Sequence, residues 1–170
     1  IQNVSLSYNS RAIMLEYYSE QNVISNNTMS DNYLGMFLGS GVSDNVVRGN
    51  TLVNSSITLL MSAANNTFYY NNFFNSRVEI PSPMHAQIWN YDYPFGGNYW
   101  SDYNGADIYS GPHQNETGSD EIGDTPYIID EYNKDDYPLM SPRNPDITPP
   151  IARAGSNLTR YVGEKVSFNA

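Results

Sequence analysis

Acidic side chains concentrate in one stretch of the chain, where their oxygen atoms could bind a hard cation. Of the 18 acidic residues, eleven lie between positions 92 and 136, and Lys134 is the only basic side chain among them. Carboxylates packed into a small lobe repel each other unless they are solvated or share a cation. Calcium accepts oxygen ligands from carboxylates, amides and backbone carbonyls on irregular loops. We therefore predict a calcium site here, with a solvated acidic loop as the alternative. The candidate ligands are Asp102, Asp107, Asp120 and Asp124.

One segment of this stretch resembles part of a calcium loop. Residues 118–124 read GSDEIGD, in which Gly123 permits a sharp turn between oxygen donors. The full D-x-[DN]-x-[DN]-G pattern is missing. The segment favours calcium without specifying a complete set of ligands.

Softer metals and thiol chemistry find few ligands in this sequence. There is no cysteine, which excludes disulfides, thiol catalysis and the usual zinc or iron–sulfur ligand sets. Copper needs His, Cys or Met ligands that converge on one point, but His85 and His113 are separated by an aromatic segment and only Met84 is next to either. We predict no copper binding and keep a copper-binding role as the minor alternative. The methionines at strand-like positions, where we expect core packing, are Met14, Met29, Met36 and Met61.

Catalytic carboxylates would have to recur at matching positions of successive repeats. Cleavage of a polysaccharide needs two or three carboxylates held close together. Residues 1–80 offer five acids and three arginines, and no acidic pair recurs at the repeat spacing. We therefore predict no enzymatic activity, with a polysaccharide lyase or hydrolase as the alternative. These residues are Glu16, Glu20, Asp31, Asp44 and Glu79, with Arg11, Arg48 and Arg77.

A repeat of about 22 residues runs through residues 1–80 and must position these side chains. Three short, β-prone patterns recur at offsets of 21 to 24 residues, which gives three strand signals per repeat. Stacked triangular coils of this kind form a right-handed parallel β-helix, an all-β fold. A leucine-rich repeat would need regular leucines and helices, and an antiparallel sandwich would lack this period. The pattern starts recur at positions 3, 27, 50 and 72, at positions 22, 45 and 66, and at positions 13, 36 and 58.

Asparagine marks the corners of the predicted coils. Asparagine tolerates left-handed backbone conformations. Stacked asparagine side chains can also hydrogen-bond to each other along the axis of a solenoid. We expect both roles at the corners of this fold.

An open end of such a stack would template further strands, so we predict a cap over residues 81–142. The repeat stops near Ile80, Pro81 and Pro83 interrupt the strands, and an aromatic block follows. Large aromatic side chains with polar tips suit the open end of an apolar core. The principal cap aromatics are Trp89, Tyr99, Trp100 and Tyr103.

Three motifs after the coils complete a family resemblance. Residues 96–103 read GGNYWSDY, residues 122–129 read IGDTPYII and residues 136–140 read DYPLM. Together with the Asn-rich coils, they resemble the NosD-type β-helix proteins over about residues 1–142. The resemblance implies the fold and an exported location. NosD itself is a periplasmic accessory protein for the copper site of nitrous oxide reductase, whereas many archaeal surface proteins share the module without that role. The family's usual DGDG before IGDTPY is replaced here by GSDE.

The chain changes character again after Pro142. Residues 143–150 are rich in proline and predict an extended, semi-rigid linker. Residues 151–170 resemble the first strands of a PKD-type immunoglobulin-like domain, which needs roughly a hundred residues to close its sandwich. Because the chain begins at Ile1 and ends in a strand-like stretch, we interpret it as an internal piece of a longer protein.

Charge and sequons indicate the partners and the location. A formal net charge of -10 repels nucleic acid and anionic membranes, and no stretch approaches the roughly 18 apolar residues that cross a bilayer. We predict an extracellular or cell-surface protein with no nucleic-acid partner and no membrane insertion in this piece. Six N-x-S/T sequons are compatible with glycosylation, at Asn3, Asn26, Asn54, Asn65, Asn115 and Asn157.

These expectations lead to two hypotheses about function. The first is a structural or interaction module of the cell envelope, which binds other envelope subunits or assembles into a larger array. The second is carbohydrate binding through exposed aromatic rings that stack on surface glycans. Adjacent aromatics in a strand point to opposite faces, so we expect one exposed ring in each of two pairs. The pairs are Tyr17 with Tyr18 and Tyr69 with Tyr70.

Overall fold

The short apolar patterns of the sequence form short strands, separated by sharp corners. The computed structural model describes residues 1–60, 62–81 and 85–144. The strands are β1 (Ser5–Ser7), β2 (Arg11–Leu15), β3 (Val23–Ser25), β4 (Thr28–Ser30), β5 (Leu34–Leu38), β6 (Val46–Arg48), β7 (Thr51–Val53), β8 (Ser56–Leu59), β9 (Thr67–Tyr69), β10 (Asn72–Phe74), β11 (Val78–Glu79), β12 (Tyr99–Trp100), β13 (Tyr109–Ser110), β14 (Glu116–Thr117), β15 (Tyr127–Ile128) and β16 (Lys134–Asp135).

Strands from successive coils pair in parallel and build three walls. The walls have the orders β1-β4-β7-β10-β12, β2-β5-β8-β11 and β3-β6-β9. From β1 to β11 every third strand is thus a neighbour, which is the connectivity of a coil with three strands per turn, and β12 then pairs with β10. The predicted right-handed parallel β-helix is confirmed. Two antiparallel hairpins, β13–β14 and β15–β16, follow the coils.

The interior is filled by columns of apolar side chains, and each column takes equivalent residues from successive strands of one wall. In one column, Met29, Leu52, Phe73 and Trp100 follow each other in register and are almost completely buried. The side chains become larger toward the carboxyl-terminal end of the stack. Stacking of equivalent residues therefore produces a continuous core that no single coil could bury by itself.

Corners combine a left-handed residue with a ladder residue directly after it. Asn26 and Gly49 have φ of 55° and 63°, and they precede the buried Asn27 and Asn50. The Nδ2 of Asn27 donates to the Oδ1 of Asn50 at 2.9 Å, and the backbone N–H of Asn27 donates to the same oxygen at 3.0 Å. The sequence predicted both roles for asparagine, and the structure divides them between neighbouring residues.

Three internal polar ladders run along the axis. One consists of Asn27, Asn50, Asn71 and Asn98. A second consists of Asn22, Asn45, Asn66 and Gln87. A third consists of Asn9, Asn32, Ser55 and Ser76. Each rung satisfies backbone groups of the neighbouring coil that would otherwise be buried without a partner, which is the condition for a polar side chain to stabilise an interior.

The stack extends beyond residue 80, where the sequence placed its end. Gln87 continues one ladder and Asn98 continues another. The spacing between rungs is 21 residues from Asn66 to Gln87 but 27 from Asn71 to Asn98. An added loop at residues 90–96 accounts for the difference and hides the repeat from inspection of the sequence. The GNYW segment is therefore the last coil rung and not a separate lid.

The last described residues fold back over the outer wall. The Nδ2 of Asn72 donates to the carbonyl oxygen of Arg143 at 2.6 Å, and the backbone N–H of Arg143 donates to the Oδ1 of Asn72 at 2.9 Å. The guanidinium of Arg143 lies 4.2 Å from the centre of the Tyr70 ring. This clamp fixes the position at which the chain leaves the coils. The rest of the predicted linker at 145–150 and the immunoglobulin-like segment at 151–170 lie outside the described residues.

In the described ranges, no helix has the length and the apolar character needed to cross a bilayer.

Candidate functional site

Two tryptophans complete the core columns at the carboxyl-terminal end of the stack. Trp89 stacks on Phe68 with ring centres 4.4 Å apart, and Trp100 stacks on Phe73 at 4.2 Å. Both indoles are almost completely buried. These two predicted cap aromatics therefore belong to the core itself and need a further layer above them.

The hairpin β15–β16 supplies that layer. Tyr127 stacks on the free face of Trp100, with ring centres 4.2 Å apart and planes 10° from parallel. Tyr127 and Asp135 are opposite each other in the hairpin, so a ring and a carboxylate reach the end of the core together. The hairpin is the structural cap.

Two side chains of this hairpin terminate two of the polar ladders. The Oδ1 of Asn133 accepts from the backbone N–H of Gln87 at 2.8 Å and from the Nε1 of Trp89 at 3.1 Å. The Oδ2 of Asp135 accepts from the backbone N–H of Asn98 at 2.7 Å and from the Nε1 of Trp100 at 3.0 Å. We call Asn133 and Asp135 the ladder stops. Each accepts hydrogen bonds from a backbone N–H at the end of a ladder and from an indole N–H. Without the ladder stops, these donors would have no acceptor.

Asp135 is a fully buried carboxyl group with N–H donors around it. The backbone N–H of Tyr137 donates to its Oδ1 at 3.1 Å, and the Nδ2 of Asn98 makes a longer bond of 3.3 Å to its Oδ2. Burial raises the pKa of Asp135 to about 7, and the hydrogen bonds from Trp100, Asn98 and Tyr137 oppose that rise. The one ion pair among the described residues joins Lys134 to Asp136, so it does not neutralise Asp135.

The ladder stops were not singled out by sequence analysis. Asp135 is one of eleven acids in residues 92–136, and neither stop falls at the coil spacing. One residue in the sequence does indicate the buried carboxylate. This is Gly97, where a Cβ would overlap the carboxylate of Asp135. A glycine beside a ladder asparagine thus marks the close approach of another chain segment.

The other two predicted cap aromatics flank the end of the core. Tyr99 is half-buried on the outer wall, with its ring 5.3 Å from that of Phe74. Tyr103 donates its hydroxyl hydrogen to the carbonyl oxygen of Thr125 at 2.6 Å. A Cβ at Gly123 would overlap the ring of Tyr103, so the glycine of the IGDTPY motif makes room for an aromatic ring.

Three of the four predicted calcium ligands lie in one loop. The carboxylate of Asp107 accepts from the backbone N–H groups of residues 120 and 121 at 3.1 and 3.0 Å. The carboxylate of Asp124 accepts from those of residues 108 and 109, each at 3.0 Å. These carboxylates fasten two segments of the loop to each other.

Asp120 and Asp102 have other partners. Asp120 accepts from the backbone N–H of Ile122 at 3.1 Å and from the Nε2 of Gln114 at 3.2 Å. Asp102 lies apart and accepts from the hydroxyl of Tyr127 at 3.2 Å. Burial, with Asp102 beside it, raises the pKa of Tyr127 to about 12, which keeps that hydroxyl protonated as a donor. Across the described parts of the chain, no three His, Cys, Asp or Glu side chains form a group that could hold a metal ion.

The two tyrosine pairs do not alternate between faces as predicted. Tyr17 and Tyr18 have φ of 51° and 61° and are 84% and 81% exposed, because they lie in a corner after β2. Tyr69 and Tyr70 are both half-buried, and the Tyr69 ring stacks on Tyr91 at 4.9 Å. The rule of alternation failed because it applies only to extended backbone.

The predicted sequons are distributed over the surface of the coils and the hairpins. Asn26 is half-buried, Asn157 lies outside the described residues, and the exposed members are Asn3, Asn54, Asn65 and Asn115. Asn54 already donates its Nδ2 hydrogen to Asp31 at 2.8 Å. Glycosylation of these residues stays a prediction.

Comparison with known families gives a match for the coil region. A family model described as "Periplasmic copper-binding protein (NosD)" matches residues 1–105. Comparison with the curated proteins and with the solved structures found no match. The matched range includes the coils and the Trp100 rung, whereas the capping hairpin follows it.

The copper in that family description can be tested against the side chains present. His85 and His113 are both exposed, and Met29 and Met36 lie in the core with no exposed surface. The prediction of core packing was wrong for Met14, which is 50% exposed. Converging soft ligands are what a copper site requires. The side chains in the described ranges do not fit one.

Proposed function

The chain belongs to the NosD family, and from this premise we propose that its β-helix is a structural and interaction module of an exported envelope or cell-surface protein. The family's periplasmic description supports export. In this role the β-helix is a rigid frame whose surface binds neighbouring macromolecules. The role involves no catalytic step and no copper.

The continuity of the internal ladders carries this proposal. The ladder of Asn27, Asn50, Asn71 and Asn98 begins in the second coil, where Asn27 accepts from the backbone N–H of Val4 in the first, and ends on Asp135, with side-chain bonds of 2.9 Å between its four asparagines. Such a ladder couples each coil to the next in one register. A solenoid coupled in this way is a stiff support with a large lateral surface.

Exposed tyrosines on the coils supply candidate contact residues. Tyr8 and Tyr18 are each more than 80% exposed. Large aromatic side chains in that state add little to the stability of a fold, but tyrosine is enriched at the centres of protein interfaces. We propose that these side chains contact the partners of the module.

The location and the partners can be tested in the source cells. The full-length protein, tagged and expressed at its natural level, would be followed by cell fractionation, proteolysis of intact cells and chemical cross-linking. We expect it in the envelope fraction, with cross-links to other envelope components. Recovery in the cytoplasm, or recovery in the envelope without any cross-linked component, would contradict the proposal.

We further propose that calcium strengthens the acidic loop of residues 102–124. The Oε1 of Gln114 is a buried acceptor without a hydrogen-bond partner, and the Nε2 of the same side chain donates to Asp120. A cation beside Asp120 would satisfy this oxygen. Calcium added to the chelated full chain should raise its thermal midpoint, and Asp120→Ala should remove the rise, because a ligand that binds only the native state stabilises it. Equal midpoints with and without calcium would contradict this part of the proposal.

A further inference from the structure

A shallow cavity of about 210 Å³ opens on the outer corner of the first three coils. It is lined by Glu16, Tyr17, Phe37, Gly39, Ser40 and Leu60. The lining combines apolar surfaces with a carboxylate and a hydroxyl. We call this cavity the corner hollow.

An exposed aromatic ring forms one wall of the corner hollow. Tyr17 is 84% exposed and has a φ of 51°. A bulky residue in left-handed backbone is an uncommon arrangement that costs free energy. Packing does not offset this cost, because the ring hardly contacts the coils. Tyr8 and Tyr18 share this exposed left-handed arrangement, so the feature that distinguishes Tyr17 is its place on the wall of the corner hollow.

The absence of a side chain at Gly39 keeps the corner hollow open. A Cβ at this position would lie 3.2 Å from the Cγ of Glu16 and 3.4 Å from the Cε1 of Phe37. Gly39 is not among the residues with positive φ. Its backbone conformation therefore does not require glycine, whereas the close approach of Glu16, Phe37 and the carbonyl oxygen of Leu15, which would lie 3.3 Å from such a Cβ, favours it.

The size and the charge of the corner hollow define its ligand. Drug-sized ligands occupy roughly 300–1,000 Å³, so about 210 Å³ suits one ring of a longer chain that continues into solvent. Among the described lining residues, Glu16 is the only charged one, on a protein with a net charge of -10. A neutral ligand rich in hydroxyl groups could donate to the carboxylate. The same carboxylate disfavours an anionic ligand, although the guanidinium of Arg11 lies 4.5 Å from the centre of the Phe37 ring.

We propose that the corner hollow binds one ring of a neutral saccharide. The apolar face of the sugar ring lies on Tyr17, and sugar hydroxyls bond to the carboxylate of Glu16 and the hydroxyl of Ser40. Aromatic rings with polar neighbours combine apolar contact area with specific hydrogen bonds. This inference goes beyond the scaffold role and does not depend on it, since loss of saccharide binding would leave the position and the cross-links of the protein in the envelope unchanged.

The proposal is tested by titrating the full chain with cellotetraose and mannotetraose as neutral probes and tetragalacturonate as the anionic probe. Binding is followed by ligand-observed nuclear magnetic resonance. We expect at least one neutral probe to bind with a Kd of about 1 mM, as a single small site gives. Tyr17→Ala should raise that Kd about tenfold or more through the loss of one ring contact. Gly39→Ala should weaken binding as well, because its methyl group narrows the hollow.

Tyr33→Ala is the matched control, because Tyr33 is 82% exposed and lies outside the corner hollow. It should leave the Kd unchanged, and both tyrosine variants should keep the thermal midpoint of the wild type. The proposal is overturned if neither neutral probe binds, if tetragalacturonate binds equally well, or if Tyr17→Ala and Tyr33→Ala have the same effect. Cross-links from position 17 to a protein, with no saccharide bound, would also overturn it.

Discussion

At the scale of single residues, Asp135 performs two tasks that oppose each other electrostatically. Its carboxylate satisfies four N–H donors at the end of a ladder. It is also completely buried, which disfavours a charge. The raised pKa of about 7 means that burial outweighs the donors. The protonation state of this one group is therefore coupled to the stability of the cap.

Stability should fall as Asp135 ionises. The pKa of the folded state, about 7, lies above the ordinary value of 3.8, so the folded chain holds this proton more tightly than the unfolded chain does. The stabilisation is complete below about pH 4 and is lost as the pH rises to about 7, by about 1 kcal/mol per pH unit. Urea unfolding from pH 4.5 to pH 8 would measure it as the difference between the wild type and Asp135→Asn, in which the other carboxyl groups cancel.

If the wild type instead gains stability relative to Asp135→Asn as the pH rises, the four N–H donors outweigh the effect of burial on the pKa of Asp135. In that case the difference would grow with pH, and the carboxyl group would titrate well below pH 7. A direct check is the carbon chemical shift of the Asp135 carboxyl group, which should move with a midpoint near pH 7. This measurement does not require that the variant folds.

Gly97 should tolerate no side chain while Asp135 is present. A Cβ at Gly97 would overlap the carboxylate, so we expect Gly97→Ala to lower the free energy of unfolding by about 2 kcal/mol, the usual cost of overpacking. In the Asp135→Ala background the same substitution should cost less than about 0.5 kcal/mol, since the overlapping group is gone. A double-mutant cycle by urea unfolding measures the coupling, and additive costs would contradict the close approach.

The sequence alone predicts the residue types at the corners but not which acid is buried. Asn27 and Asn50 stand out because they repeat at the coil spacing, and the structure confirms the ladder they were expected to form. Asp135 has no repeat partner and resembles its ten acidic neighbours in composition. Its burial depends on how a distant hairpin folds back, which a local pattern does not contain.

At the scale of elements, the ladders hold strands that are too short to be stable alone. Many of the coil strands have only three residues. Their register is set twice, by the apolar column inside the wall and by the polar rung at the corner. Removal of a rung from the middle of a ladder should therefore lower the free energy of unfolding more than removal of an exposed side-chain bond between the same coils.

Asn50→Ala should lower the free energy of unfolding by about 3 kcal/mol or more. The substitution leaves the N–H and Nδ2 donors of Asn27 and the carbonyl oxygen of Ile24 buried without their partner, and each orphaned group costs roughly 1–3 kcal/mol. Asn54→Gly is the control, because it removes only exposed side-chain bonds, one to Asp31 and one from Asn75, and keeps the left-handed backbone feasible. Urea unfolding should give it a cost below about 1 kcal/mol, and similar costs for both variants would refute the structural role of the internal ladder.

The limits of prediction are clearest where an element departs from the repeat. The loop at residues 90–96 lengthens one interval to 27 residues, so the pattern ends at residue 80 in the sequence although the stack goes on. The residue types of Tyr17 and Tyr18 predict a strand because tyrosine is β-prone. Both residues nevertheless have a left-handed backbone conformation. Coil spacing could be predicted because it repeats, and insertions could not because each occurs once.

At the scale of the whole molecule, the stack closes by enlarging its side chains and then covering them. One column ends in Phe73, Trp100 and Tyr127, whose rings lie face to face. Without the hairpin, the stack would present two indoles, unpaired ladder donors and a free strand edge. Such an edge templates further strands and promotes association.

Removal of both ladder stops should therefore open the end of the molecule. In Asn133→Ala with Asp135→Ala, the Nε1 groups of Trp89 and Trp100 lose their acceptors, so we expect the hairpin to detach. The chain has only these two tryptophans, both almost completely buried, so intrinsic fluorescence should shift to the red without complete unfolding. Light scattering during size-exclusion chromatography should show association that increases with concentration, and Lys134→Ala, which changes the exposed residue between the two stops, should show neither effect. A double variant that stays monomeric with unshifted fluorescence would mean that the stacking of Tyr127 on Trp100 is sufficient to hold the cap.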